Sequence, residues 1–189
     1  MPSITPTTST RRRSLLKLGL IGTAALAVGG YVATRITDGS PQARLPQAAH
    51  LSPGAQLLWA KVGEAVLNDM LPSGAEPRQA MIDAFLTRLD QGIASLPPHT
   101  QAELRDLLGM LTLAPGRALL TGRWSGWADA SVAEVQVWLL DLRGSSLQLR
   151  RLIFLTLHDL VTSSYYALPQ AWDAIGYRGP IAPGPGVDV

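Results

Sequence analysis

Residues Ser131 to Gly144 read S-V-A-E-V-Q-V-W-L-L-D-L-R-G, and this stretch decides the fold. Ser131 and Glu134 stand three apart, the spacing of a capping box that closes the first turn of a helix. Val135, Trp138, Leu139 and Leu142 then fall on one stripe of a 3.6-residue period, and Gly144 supplies a stop. The pattern predicts a fourth helix of a small all-α bundle.

The same period recurs on both sides. Upstream, Ser52 as N-cap with Pro53 at the first helical position starts a first helix, which runs to Leu71 before Pro72-Ser73-Gly74. Its expected inner face is Leu58, Val62, Val66 and Met70. A second helix, from about Pro77 to Leu96, turns Ile82, Phe85, Leu86, Leu89 and Ile93 inward and ends at Pro97-Pro98. A third opens on the box T-Q-A-E, Thr100 to Glu103, and carries Leu104, Leu107, Leu108 and Leu111. The stretch from Ala114 to Trp127, with its glycines and paired tryptophans, predicts a loop or short helical turn held down by Trp124 and Trp127. Downstream, a fifth helix starts near Ser145 or Ser146 and runs to about Tyr166 through Leu149, Leu152, Ile153, Leu157, Leu160 and Val161, halted by Pro169. The expected organisation is a linker over 35–51, a helical domain over 52–167 and an irregular Pro/Gly-rich tail over 168–189.

Composition narrows the chemistry. The 189 residues include no cysteine, which removes disulfides, thiol nucleophiles, iron–sulfur ligation and Cys-bearing zinc sites. His50, His99 and His158 are the three histidines, too few for a His-rich metal centre. Of the 16 Lys and Arg, four (Arg11, Arg12, Arg13 and Lys17) are the only charges before Arg35, so the other 12 face 14 Asp and Glu and the rest of the chain carries −2. Basic residues there are scattered, which argues against nucleic acid as a partner.

The N-terminus reads as an export signal. R-R-R-S-L-L-K, Arg11 to Lys17, precedes an uncharged segment from Leu18 to Thr34, the layout of a basic n-region before an apolar h-region. Arg12 and Arg13, followed by Leu15, Leu16 and Lys17, closely resemble the twin-arginine consensus, with Arg11 in place of the usual Ser or Thr. Residues 1–34 are therefore expected to carry the chain to the periplasm through the twin-arginine translocase. Ala25-Leu26-Ala27 offers a cleavage site; an uncut segment would instead tether the chain to the inner membrane.

Catalytic constellations are weak. His158-Asp159 is an adjacent pair in mid-helix, and neighbours that diverge by about 100° are not expected to form a relay with each other. There is no nucleophile elbow, phosphate loop, G-x-G-x-x-G or H-E-x-x-H. The sequence predicts no enzyme and no cofactor in this chain.

The stretch from His158 to Pro180 carries a different signal. Tyr165, Tyr166, Trp172 and Tyr177, punctuated by Pro169, Gly176 and Gly179, either dock onto a larger protein or fold back over the domain's own core. The run Y-Y-x-x-P-x-x-W-x-x-I-G-Y-x-G-P resembles the C-terminal signature of the small (gamma) subunits of bacterial membrane-associated flavin dehydrogenases, the gluconate 2-dehydrogenase subunit 3 type. W-L-L-D-L-R-G-S-S-L-Q-L-R-R, Trp138 to Arg151, is similar to the branch found with glucose–methanol–choline type flavoproteins. The resemblance covers about residues 130–180 and the signal. It implies a non-catalytic subunit that binds a large FAD-dependent sugar or alcohol dehydrogenase and escorts it through the twin-arginine pathway, with a multihaem cytochrome c subunit as a further partner in some systems. FAD would belong to the partner. The positions implied for partner binding are Trp138, Arg143, Tyr165, Tyr166, Pro169, Trp172, Gly176, Tyr177, Gly179 and Pro180. A free-standing periplasmic helical protein that binds a small ligand in its own core is the alternative.

Overall fold

A computed structural model describes residues 43–122 and 124–179. Among them are six α-helices and no strand: α1 Pro53–Val66, α2 Ala75–Ala94, α3 Pro98–Thr112, α4 Ala114–Thr121, α5 Val132–Gly144 and α6 Gln148–Tyr166. The all-α bundle is as expected, with one helix more than the pattern gave. Short 3-10 turns follow α1 (Asn68–Met70) and α6 (Pro169–Ala171 and Asp173–Ile175).

α1 is the hub, packing against α2, α3, α5 and α6. Being surrounded explains its composition: Ala55, Leu58, Trp59, Ala60, Val62, Gly63 and Ala65 are all buried, far more than one stripe. Small residues let neighbours approach closely. A Cβ on Gly63 would stand 2.9 Å from Phe85 of α2, so this crossing requires the glycine. Ser52 caps α1 through Ala55 N–H at 3.3 Å, with Pro53 at the first helical position. The regular helix stops at Val66 rather than Leu71, and the 3-10 turn fills the remainder.

α2 buries the five side chains that its pattern selected, Ile82, Phe85, Leu86, Leu89 and Ile93. α5 starts on the expected box: Glu134 N–H donates to Ser131 Oγ at 3.3 Å, and Ser131 N–H donates to the Glu134 carboxylate at 2.9 Å. Its buried set is Val135, Trp138, Leu139 and Leu142.

Four expectations are corrected. α3 begins at Pro98, not at the T-Q-A-E box, because proline at the first helical position loses no hydrogen bond and already holds a helical φ. Gln101 instead reaches back to the carbonyls of Leu96 (2.8 Å) and Ala94 (3.3 Å), satisfying the end of α2. The stretch after Leu113 is a true helix, α4, ended by Gly122 in the left-handed region (φ 69°). A Cβ on Gly116 would collide with the backbone of Met110, so the tight α3–α4 corner depends on that glycine. In α6, Leu149 and Leu152 are exposed, and Ile153, Leu157, Val161, Ser164 and Tyr165 face the core. Residues 43–51 are a strap packed on the bundle, not a free linker. The Gln56 amide bonds both N–H and C=O of Leu45 (2.9 and 3.1 Å) and the Leu51 carbonyl (2.9 Å), while Asp90 accepts from the N–H groups of Ala49 and His50.

Candidate docking surface

Nine of the ten positions implied for partner binding divide into three groups. The first belongs to the core. Trp138 is buried, with its ring 5.1 Å from that of Trp127, whose indole N–H donates to the Leu111 carbonyl at 2.8 Å. Tyr165 is 1% exposed, and its hydroxyl donates to the Met70 carbonyl at 2.7 Å, pinning the end of α6 to the turn after α1. Burial, aided by the neighbouring Tyr166, raises the Tyr165 phenol above its ordinary value of 10.0. As docking anchors these two positions are corrected: their rings are already covered by the chain's own helices.

A second group gathers at the end of α6. Pro169 opens the first 3-10 turn, and Trp172 folds back so that its indole N–H donates to the Tyr166 carbonyl at 2.9 Å. Tyr177 meets Trp172 edge-on at 5.2 Å, and Gly179 (φ 89°) passes so close that a Cβ there would lie 3.1 Å from the Trp172 ring. Gly176 adopts φ 68°, turning the chain so that Tyr177 can return. Tyr166, Ile175 and Tyr177 remain substantially exposed around the half-buried Trp172. Tyr165 thus folds back into the core, and Tyr166 and Tyr177 present aromatic surface.

Arg143 forms the third group alone, exposed in the last turn of α5. Pro180 and the signal residues Arg12, Arg13, Leu15, Leu16 and Lys17 lie outside the described residues. Among the described residues no helix is long and apolar enough to cross a membrane.

Sequence reasoning missed a patch beside Arg143. Val137 and Leu140 on α5, Leu147 at the turn, and Leu149, Leu152 and Leu155 on α6 are each at least half exposed. The available signal was density: seven of the eleven residues from Leu147 to Leu157 are apolar, more than one buried stripe can hold. Arginines flank the patch. Arg150 pairs with Asp141 at 2.6 Å, and Arg151 donates to the carbonyls of Ser145 and Ser146 at 2.7 and 3.1 Å.

Arg117 is fully buried and donates to the carbonyls of Thr112 (2.8 Å) and Trp124 (3.1 Å), stapling α3 to the segment after α4. Trp124 itself is exposed rather than packed down as expected. His158 and Asp159 do touch, at 3.4 Å, although they are adjacent; the ring also stacks on Phe154 along an exposed flank of α6. A cavity of about 190 Å³ opens among Thr121, Gly122, Trp127, Glu134, Val135 and Trp138. Ligand pockets usually span roughly 300–1,000 Å³. A second, near His50 and Arg105, is about 10 Å³, the size of one water. Among the described residues no three His, Asp or Glu converge as a metal site.

No family model, no curated protein and no solved structure matches the chain.

Proposed function

We propose that this chain is the non-catalytic small (gamma-type) subunit of a periplasmic FAD-dependent sugar or alcohol dehydrogenase. It binds the flavoprotein in the cytoplasm and carries it through the twin-arginine pathway. The observation that carries the reading is the pairing, in one chain, of R-R-R-S-L-L-K at the N-terminus with Y-Y-x-x-P-x-x-W-x-x-I-G-Y-x-G-P at the C-terminus. The first resembles a signal read on folded cargo, and the second resembles the signature of subunits that accompany a flavoprotein. Two further features support it. Exposed aromatic and leucine surface at both ends of α6 exceeds what the chain's own core uses. Tyr165 adds to this by pinning the end of α6, which carries the aromatic surface, to the turn after α1. FAD belongs to the large subunit in this reading, and a multihaem cytochrome c subunit would take electrons onward.

Replacing Arg12 and Arg13 with Lys tests the escort step. Lysine keeps the charge but loses the planar fork of donors that a paired-guanidinium receptor reads. The expected outcome is loss of periplasmic dehydrogenase activity together with cytoplasmic retention of both subunits. Normal periplasmic activity in the double-lysine strain overturns the reading.

A further inference from the structure

Accepting the proposed function, we infer that the flavoprotein docks on the leucine patch at the α5–α6 turn, through an apolar surface rimmed with carboxylates. Leu149, Leu152 and Leu155 follow one another at three-residue spacing along one flank of α6, Leu147 caps its start, and Leu140 is exposed near the end of α5. Four of these five leucines are at least 57% exposed, and water-facing leucines at that density mark a surface that another molecule covers.

Charge selects the occupant. From Val137 to Leu155 there are three arginines, Arg143, Arg150 and Arg151, against one carboxylate, Asp141, a local balance of +2. The 35–189 region as a whole carries 12 basic and 14 acidic residues, or −2, so outside this segment the balance is −4. Positive charge is thus concentrated where the leucines are. A second copy of this chain would be a poor occupant, because a two-fold contact sets the same patch against itself and brings like charges together. A partner with acidic groups around an apolar centre meets both features at once.

Local geometry fits an interface that forms without rearrangement. Arg151 is bonded to the carbonyls of Ser145 and Ser146, and Arg150 is tied to Asp141, so the turn carrying Leu147 is braced before any partner arrives. Preorganisation of this kind lowers the ordering cost of association. The patch also overlaps Trp138–Arg151, where Trp138 and Leu142 are buried while Leu140, Leu147 and Leu149 are exposed.

The test uses the full chain, tagged and purified from its native host, and the FAD-containing protein that accompanies it, recognised by its flavin absorbance. Re-binding of the two purified components is compared for wild type, for Leu149→Asp with Leu152→Asp, and for Arg143→Glu. The double aspartate variant is expected to lose about 30-fold or more in affinity, the scale of two central anchor positions. Arg143→Glu is expected to lose about tenfold at low salt and less at high salt, as a rim charge does. Far-ultraviolet circular dichroism checks that both variants keep their helices; if the double variant does not, Arg143→Glu decides. Wild-type affinity in the variants overturns the docking site and leaves the escort function standing. No flavoprotein with the wild-type chain overturns both. A wild-type dimer that the double variant converts to monomer shows that the patch pairs copies of this chain, which also overturns the inference.

Discussion

α2 and α6 have nearly the same length, 20 and 19 residues, and pack against each other, but they place their apolar side chains differently. In α2 every Ile, Leu and Phe is buried, and the face turned to water carries Thr87, Arg88 and Gln91. In α6 the core takes Ile153, Leu157, Val161 and Tyr165, while Leu149, Leu152 and Leu155 face water. The bundle's own packing accounts for α2 completely. It accounts for only part of α6, and the surplus lies at the first turns, next to the α5–α6 corner. A helix whose hydrophobicity exceeds what its fold uses points to contacts beyond its own chain.

The comparison breaks first if α2 is not core. Phe85 is fully buried and meets Gly63 of α1, so it holds the α1–α2 crossing. Phe85→Ala should cost about 3–5 kcal/mol, the range for a buried aromatic replaced by a methyl group. Urea unfolding followed by circular dichroism measures it. A loss below about 1 kcal/mol would place α2 among ordinary surface helices.

The two helices also differ in how legible they are. α2 could be read from residue types alone because Ile82, Phe85, Leu86, Leu89 and Ile93 recur at three- and four-residue spacing, leaving one possible face. α5 was equally plain, since its capping box fixes where the stripe begins. α6 has Leu152, Ile153, Phe154 and Leu155 in succession, so several faces satisfy the same period and the sequence cannot say which one the core takes. Buried polar staples were invisible for another reason. Gln56 and Arg117 look like surface residues by type, and only the carbonyls that converge on them in the fold make their burial favourable. The aromatic tail was legible as a cluster but not as a partition. Whether Tyr165 or Tyr166 turns inward depends on where Met70 places its carbonyl, 95 residues away in sequence.

Tyr165 gives a middle-sized effect and sharpens the core side of α6. Tyr165→Phe keeps the ring and leaves the Met70 carbonyl without its donor, which should cost about 1–2 kcal/mol at neutral pH. The hydroxyl also gives a pH signature. Its folded pKa is raised above 10.0, so below pH 10 both states hold the proton and its contribution is fully present. Above pH 10 the unfolded chain ionises first, the native state holds more protons, and stability falls until the folded pKa is passed. Urea midpoints of wild type should therefore drop between neutral pH and pH 10.5 by more than those of Tyr165→Phe. Equal pH dependence would mean that the phenol is not held in the core.

The smallest expected effect separates the helices most cleanly. Leu149 and Leu152 are 61% and 57% exposed, so replacing them removes little apolar area that the isolated chain has taken out of water. Glutamine is nearly as good a helix former as leucine, so Leu149→Gln with Leu152→Gln perturbs the backbone of α6 by only a few tenths of a kcal/mol. The isolated chain should unfold within about 0.5 kcal/mol of wild type, the usual bound for surface positions. Solubility should rise, because the substitution breaks up exposed leucine surface. The same chemical change at Leu86 and Leu89 of α2, both essentially without solvent contact, would leave buried amides lacking partners and should prevent folding. A loss above about 2 kcal/mol from the α6 pair would show these leucines to be packed in the free chain, within the range of buried leucine truncations. The contrast with α2 would then disappear, and with it the reason to look for a partner at the α5–α6 turn.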